Sequence, residues 1–174
     1  FTDSLLVGHA TTGTLDAAQD NTGIGIGALD ALTSGDDNTA IGSDAGSAIN
    51  TGSNNVAIGS QALLIASDAT GNVAIGSDAM DSATSGASNV AVGYDALQAV
   101  VSGNYNTAVG QNASALTTGS RNTVLGYRAG YNITGGDGNV IIGTVNATSA
   151  TGDRQLVIGG NDGSTTTTWI SGDS

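Results

Sequence analysis

The residues able to do chemistry are few. His9 is the only histidine, cysteine is absent, and the chain has neither lysine nor glutamate. A Ser-His-Asp relay or a zinc site needs several such groups converging, so no catalytic residue, metal ligand or cofactor is expected. All 15 acidic residues are aspartate, and the only cations are Arg121, Arg128 and Arg154. Paired carboxylates could hydrolyse glycosides, and Asp78, Asp81 and Asp95 fall close together in the repeat described below. Yet Asp44, Asp78 and Asp95 occupy one column with Gln61 and Asn112, which reads as a solvated polar ladder. Gly23-Ile24-Gly25-Ile26-Gly27 is not followed by the Lys-Ser/Thr of a phosphate loop. No EF-hand or Gly-Gly-x-Gly-x-Asp calcium string occurs either.

The aromatic residues are distributed unevenly. Tyr94, Tyr105, Tyr127, Tyr131 and Trp169 all lie in the C-terminal half. Exposed rings beside polar and charged groups suit sugar stacking and hydroxyl recognition. The glycan-binding candidates are therefore Tyr94, Asp95, Tyr105, Tyr127, Arg128, Tyr131 and Trp169. The competing reading is structural, with tyrosines covering a rim and Trp169 packed as a terminal plug.

These residues are positioned by a repeat. A glycine follows Ile, Val or Leu at Gly8, Gly25, Gly42, Gly59, Gly76, Gly93, Gly110, Gly126, Gly143 and Gly159. The interval is 17 residues, shortened twice to 16. Four residues before each stands Asn21, Asn38, Asn55, Asn72, Asn89, Asn106, Asn122, Asn139 or Gln155. Three residues after it stands an alanine, from Ala28 to Ala129. Fixed periods of this kind mark solenoids. The expected fold is mainly β, a parallel β-solenoid (β-roll) of 17-residue coils, nine to ten of them, stacked at about 4.8 Å each. Residues 1–154 form the repeat array; 155–174 form the last coil and a cap or transition segment.

The Asn-(Thr/Val)-Ala-(Ile/Val)-Gly segment alternates with period two and reads as a strand. Its β-branched residues are expected to face inward and its alanines outward. The following glycine permits a sharp corner. On the second flank, apolar residues at three, four and seven after the glycine suggest a short helical turn, with Ser60 or Ser77 as N-cap and Gly86 or Gly103 as its end; an irregular strand is the alternative. The shortened coils lose their residue on this flank and never in the strand.

Composition limits the partners. With 28 glycines and 3% aromatics, the coils must be thin, and a lone stack buries little against the entropy of ordering it. Close packing of the outward alanine column (Ala40, Ala57, Ala74, Ala91, Ala108) around a threefold axis would add burial; a dimer or capped monomer is the alternative. A net charge of −12 argues against nucleic acid, whose phosphates require Lys and Arg. No apolar run predicts membrane insertion. Thr and Val interchange along the strand, so no unbroken threonine ladder for ice binding results.

Asn55-Val56-Ala57-Ile58-Gly59 and Asn72-Val73-Ala74-Ile75-Gly76 resemble the head repeats of YadA-like trimeric autotransporter adhesins, which are left-handed trimeric β-rolls with a shorter repeat. The longer strings Asn89-Val90-Ala91-Val92-Gly93-Tyr94-Asp95-Ala96-Leu97 and Asn122-Thr123-Val124-Leu125-Gly126-Tyr127-Arg128-Ala129-Gly130 more closely resemble repeats of bacteriophage tail fibres and related virion adhesins. So does the closing stretch from Gln155 to Asp173. The resemblance implies a homotrimeric, left-handed fibre segment in a virion that binds a host cell-surface polysaccharide or spaces the element that does. A bacterial surface adhesin head is the alternative, and a tail-associated glycan hydrolase the lower one.

Overall fold

A computed structural model describes residues 5–7, 18–99, 102–114 and 118–172 of the chain. Gly8, His9, Val100 and Asp173 lie outside these residues.

Eleven strands form one sheet in strict chain order. They are β1 (Leu5–Val7), β2 (Thr22–Ile24), β3 (Thr39–Ile41), β4 (Val56–Ile58), β5 (Val73–Ile75), β6 (Val90–Val92), β7 (Thr107–Val109), β8 (Thr123–Leu125), β9 (Val140–Gly143), β10 (Leu156–Asn161) and β11 (Thr166–Gly172). From β1 to β10 every pairing is parallel and joins equivalent repeat positions, as in Val56↔Val73 and Ala57↔Ala74. This is a parallel β-solenoid of 17-residue coils, with about eight turns between β2 and β10. The nine to ten coils expected counted from Gly8, and most of that first coil lies outside the described residues. No described helix is long and apolar enough to cross a membrane.

The strand alternates as expected, but in the opposite phase. Ala40, Ala57, Ala74, Ala91 and Ala108 are completely buried inside the coils. The flanking Thr/Val and Ile/Val/Leu positions face outward and are partly or largely exposed. The outward alanine face therefore does not exist. In a strand, residues two apart share a face, so the asparagine and the alanine must point the same way. The asparagine column is buried along its whole length, and it carries the alanines inside with it.

The buried asparagines form a continuous ladder. Asn55 Oδ1 accepts from the Asn72 backbone N–H at 3.0 Å and from Asn72 Nδ2 at 3.3 Å. Asn72 Nδ2 also donates to the Gly86 carbonyl at 2.8 Å. The side chains of Asn38, Asn55, Asn72 and Asn122 thus accept two bonds and donate two, the full capacity of an amide. At the end of the stack Gln155 replaces asparagine. Its Nε2 still reaches Asn139 Oδ1 at 3.1 Å, while its Oε1 accepts from the Ser149 backbone N–H at 2.6 Å. The longer side chain turns the ladder back onto its own coil.

The second flank is neither helix nor strand. Asp44, Asp78 and Asp95, two residues after the corner, and Leu29, Leu63, Met80 and Leu97, four after it, have φ between 48° and 58°. Consecutive turns result, as Ala28 N–H donates to Gly25 O at 3.3 Å and Leu32 N–H to Leu29 O at 3.2 Å. The remaining donors bond the next coil: Leu29 N–H to Ala45 O at 3.1 Å, then Gly46 N–H to Ala62 O at 2.9 Å. A helical turn would consume these N–H groups within its own coil. The expected helical turns, with Ser60 and Ser77 as caps, are therefore absent from the described residues. None of the left-handed non-glycine positions is Val, Ile or Thr, because a β-branched side chain there is strongly disfavoured.

Size compensation keeps the thin core filled. Leu63 packs with Ala66 and Met80 with Ala83, whereas Gly46 is followed by Ile49 and Gly130 by Ile133; all are buried. A Cβ on Gly46 would lie 2.9 Å from Ile49 Cδ1. We expect Gly46→Leu and Ile49→Ala each to cost about 2–4 kcal/mol. The double substitution recreates the Leu63/Ala66 arrangement and should return to within about 1 kcal/mol of the parent. A double-mutant cycle in urea measures this coupling; simple additivity would contradict it.

Candidate functional site

The array ends in a change of direction. After β10 the chain turns through Asn161-Asp162-Gly163 and returns as β11, antiparallel to β10, with a register shift between Ile158 and Gly159. Asn161 Oδ1 accepts from the Gly163 N–H at 2.7 Å. Asp162 Oδ1 accepts from the Ser164 N–H at 2.9 Å, the Thr165 N–H at 2.8 Å and Ser164 Oγ at 2.9 Å. These bonds favour the carboxylate and hold its pKa down to about 2. The Asp162 charge is thereby committed to the turn.

One face of this hairpin closes a cleft of about 590 Å³ against the corner of the preceding coils. It is lined by Tyr127, Arg128, Tyr131, Thr144, Asn146 and Thr168, among others. Small-molecule sites span roughly 300–1,000 Å³. The cleft opens where the last coil is short. Gly130 N–H bonds Val145 O at 2.9 Å, whereas earlier coils place the third residue after the corner glycine at that point, as in Gly46 N–H to Ala62 O. The missing residue belongs to the Asp/Arg column, so Val145 takes the inward place and the next coil has no residue of that column to stack on Arg128.

Within the cleft, the Arg128 guanidinium lies over the Tyr131 ring at 4.7 Å from its centroid. Tyr127 and Arg128 are exposed, and Tyr131 is half-buried. Three of the sequence candidates thus meet here. Thr144, Asn146, Asn161, Thr166 and Thr168 were not among them. Their signal was the Asn-Asp-Gly string, a hairpin turn sequence, which folds the threonine run back beside the tyrosines.

The other candidates are placed elsewhere. Trp169 is 69% exposed and lies on the opposite hairpin face, in a second cleft of about 290 Å³ with Thr165 and Thr167. It is not a plug. Tyr105 sits at the corner before the strand, where Arg121 lies 6.0 Å from its ring centroid. Tyr94 and Asp95 share the corner column of Tyr127 and Arg128, but two coils away. There Asp95 pushes the Tyr94 hydroxyl pKa up, with desolvation and Asp78 adding to it. Desolvation and the stacked Asp78 carboxylate raise Asp95 in turn, as does Asp81, against a hydrogen bond from Tyr94.

Many aspartates have structural partners. Asp36 Oδ1 accepts from the Gln19 N–H at 2.8 Å, Asp137 Oδ1 from the Ser120 N–H at 2.7 Å and Asp153 Oδ1 from the Asp137 N–H at 2.8 Å. Among the described residues no three of His, Cys, Asp or Glu are grouped to hold a metal ion.

Strand order, register and coil length define the class: a tandem-repeat parallel β-solenoid closed by a C-terminal hairpin that walls a cleft. No known protein family, curated protein or solved structure matches the chain.

Proposed function

We propose that this chain is a structural and adhesive segment of a trimeric fibre, left-handed and of the phage-tail type, that binds a host cell-surface glycan. The observation that carries the reading is the outward face of the sheet. From β2 to β10 its two columns run Thr22/Ile24, Thr39/Ile41, Val56/Ile58, Val73/Ile75, Val90/Val92, Thr107/Val109, Thr123/Leu125, Val140/Ile142 and Leu156/Ile158, with no charged residue among them. The chain as a whole carries a net −12. Nine strands at about 4.8 Å make a ribbon about 40 Å long. The second column is apolar at every strand, an uncharged stripe of this length suits an association surface, and identical flat stripes pack on one another around a symmetry axis. Three copies fit the resemblance to tail-fibre repeats. The association surface is this Val/Ile stripe, since the alanines first expected there are interior.

The cleft at the C-terminal end supports the adhesive part. Two tyrosine rings, an arginine, and Asn and Thr side chains around one concavity are the groups that stack on sugar rings and bond their hydroxyls.

Sedimentation equilibrium should give three times the 16.8 kDa of the chain. Val73→Asp with Val90→Asp places charges in the middle of the stripe and should yield a folded monomer, because both side chains are partly solvent-exposed in the single chain. A monomeric parent protein would sink the trimer.

A further inference from the structure

We infer that the cleft beside the hairpin takes an acidic saccharide, with the anionic group of the sugar held by Arg128. The inference rests on the reading of this cleft as a glycan site and goes on to name the class of sugar. The charge distribution carries it. The chain has 15 acidic residues against three arginines, yet the cleft lining contains one arginine and no aspartate. Acidic residues occupy equivalent positions of the Arg128 column in other coils, at Asp44, Asp78 and Asp95. The sign therefore reverses at the one coil where the next corner residue is missing and the column is uncovered.

Arg128 is also free to act. Its guanidinium carbon lies 4.7 Å from the Tyr131 ring centroid, a contact with the ring face that uses none of its N–H groups as hydrogen-bond donors to a side-chain carboxylate. No carboxylate pairs with it among the described residues. Asp162, the acid nearest in sequence to the lining residues, already accepts three hydrogen bonds within its own turn. A planar guanidinium held in this way matches a carboxylate or phosphate with two parallel bonds. Tyr127 supplies the ring face for the sugar, and Thr144, Asn146 and Thr168 supply hydroxyl and amide groups around it. The surrounding negative charge repels other anions, and beyond about 8–10 Å salt screens that repulsion. Selection thus falls on a ligand that places its charge at Arg128.

The test is binding of the full chain to an immobilised panel of paired oligosaccharides. Each uronate or sialate oligomer stands beside its carboxyl-reduced twin, and each phosphorylated oligomer beside its dephosphorylated twin. We expect binding to the acidic member of a pair, weakened roughly tenfold to hundredfold by Arg128→Gln and partly restored by Arg128→Lys. Carboxylate-selective or phosphate-selective binding would both support the inference and would identify the source of the anion. Tyr127→Ala should weaken acidic and neutral members alike. Equal binding to both twins, still lost with Tyr127→Ala, would overturn the charge assignment and leave the glycan reading standing. Failure to bind any pair would overturn both. All three variants alter exposed side chains, and an unchanged thermal transition confirms that each remains folded.

Discussion

Gly76→Ala should destabilise the protein by at least about 4 kcal/mol. Two costs add. Gly76 has φ 137°, a region essentially reserved for glycine, and an alanine there costs on the order of 1–3 kcal/mol. The new Cβ would also lie 2.4 Å from the Gly93 carbonyl oxygen and 2.6 Å from its carbon. That oxygen belongs to the next coil's backbone, so no side chain can move aside. Separating the two coils would stretch the Gly93 N–H bond to Ile75 O, 2.8 Å long. Gly163→Ala separates the two costs, since Gly163 has φ 96° and nothing within 4 Å of its added Cβ. It should lose only the strain, about 1–2 kcal/mol, and only in the hairpin. Urea unfolding of the two variants measures both; equal losses would mean that contact between coils does not limit the corner.

Asn72→Ala should cost about 3–5 kcal/mol. Its amide is completely buried and makes four side-chain bonds: to Asn55 Oδ1, to Gly86 O, and from the Asn89 backbone N–H and Asn89 Nδ2. Alanine leaves Gly86 O, the Asn89 N–H and one Asn89 Nδ2 proton without partners. A buried polar group left unsatisfied costs about 1–3 kcal/mol. Because coils contact only their neighbours, the break also uncouples the two halves of the stack. Amide exchange should therefore accelerate first in coils β4 to β6 and later at the ends. The exposed Ser85→Ala serves as control and should stay within about 0.5 kcal/mol. A loss below 1 kcal/mol for Asn72→Ala would show that water replaces the amide and that the ladder contributes little.

The outward stripe follows from the same geometry. The inward strand positions are taken by Asn and Ala because coils only one side chain deep admit nothing larger opposite Leu63 or Met80. Where the second flank is reduced to Gly130, the strand position enlarges to Val124, whose methyl carbons would lie 3.4 Å from a Cβ on that glycine. The larger β-branched residues are left outside, where Thr and Val exchange freely from coil to coil. That exchange is the mark of a surface position, and the invariance of the asparagine column is the mark of a buried one. Reading hydrophobicity without those columns assigns the strand to the wrong phase.

The repeat length, the strand, its corner glycine and the solenoid class are all legible in the sequence, because each coil repeats the same local demand at the same spacing. Period two is equally legible, but its phase is not. Either face of an alternating strand can be interior until the width of the coil is known, and only the packed structure sets that width. The second flank misleads for a related reason. Its apolar spacing matches a helix, while its N–H groups are claimed by the next coil, which sequence spacing does not show. The cleft is the clearest tertiary result. Tyr127 and Arg128 stand some forty residues before Thr168, and they meet because a coil one residue short exposes the arginine and a hairpin returns the chain beside it.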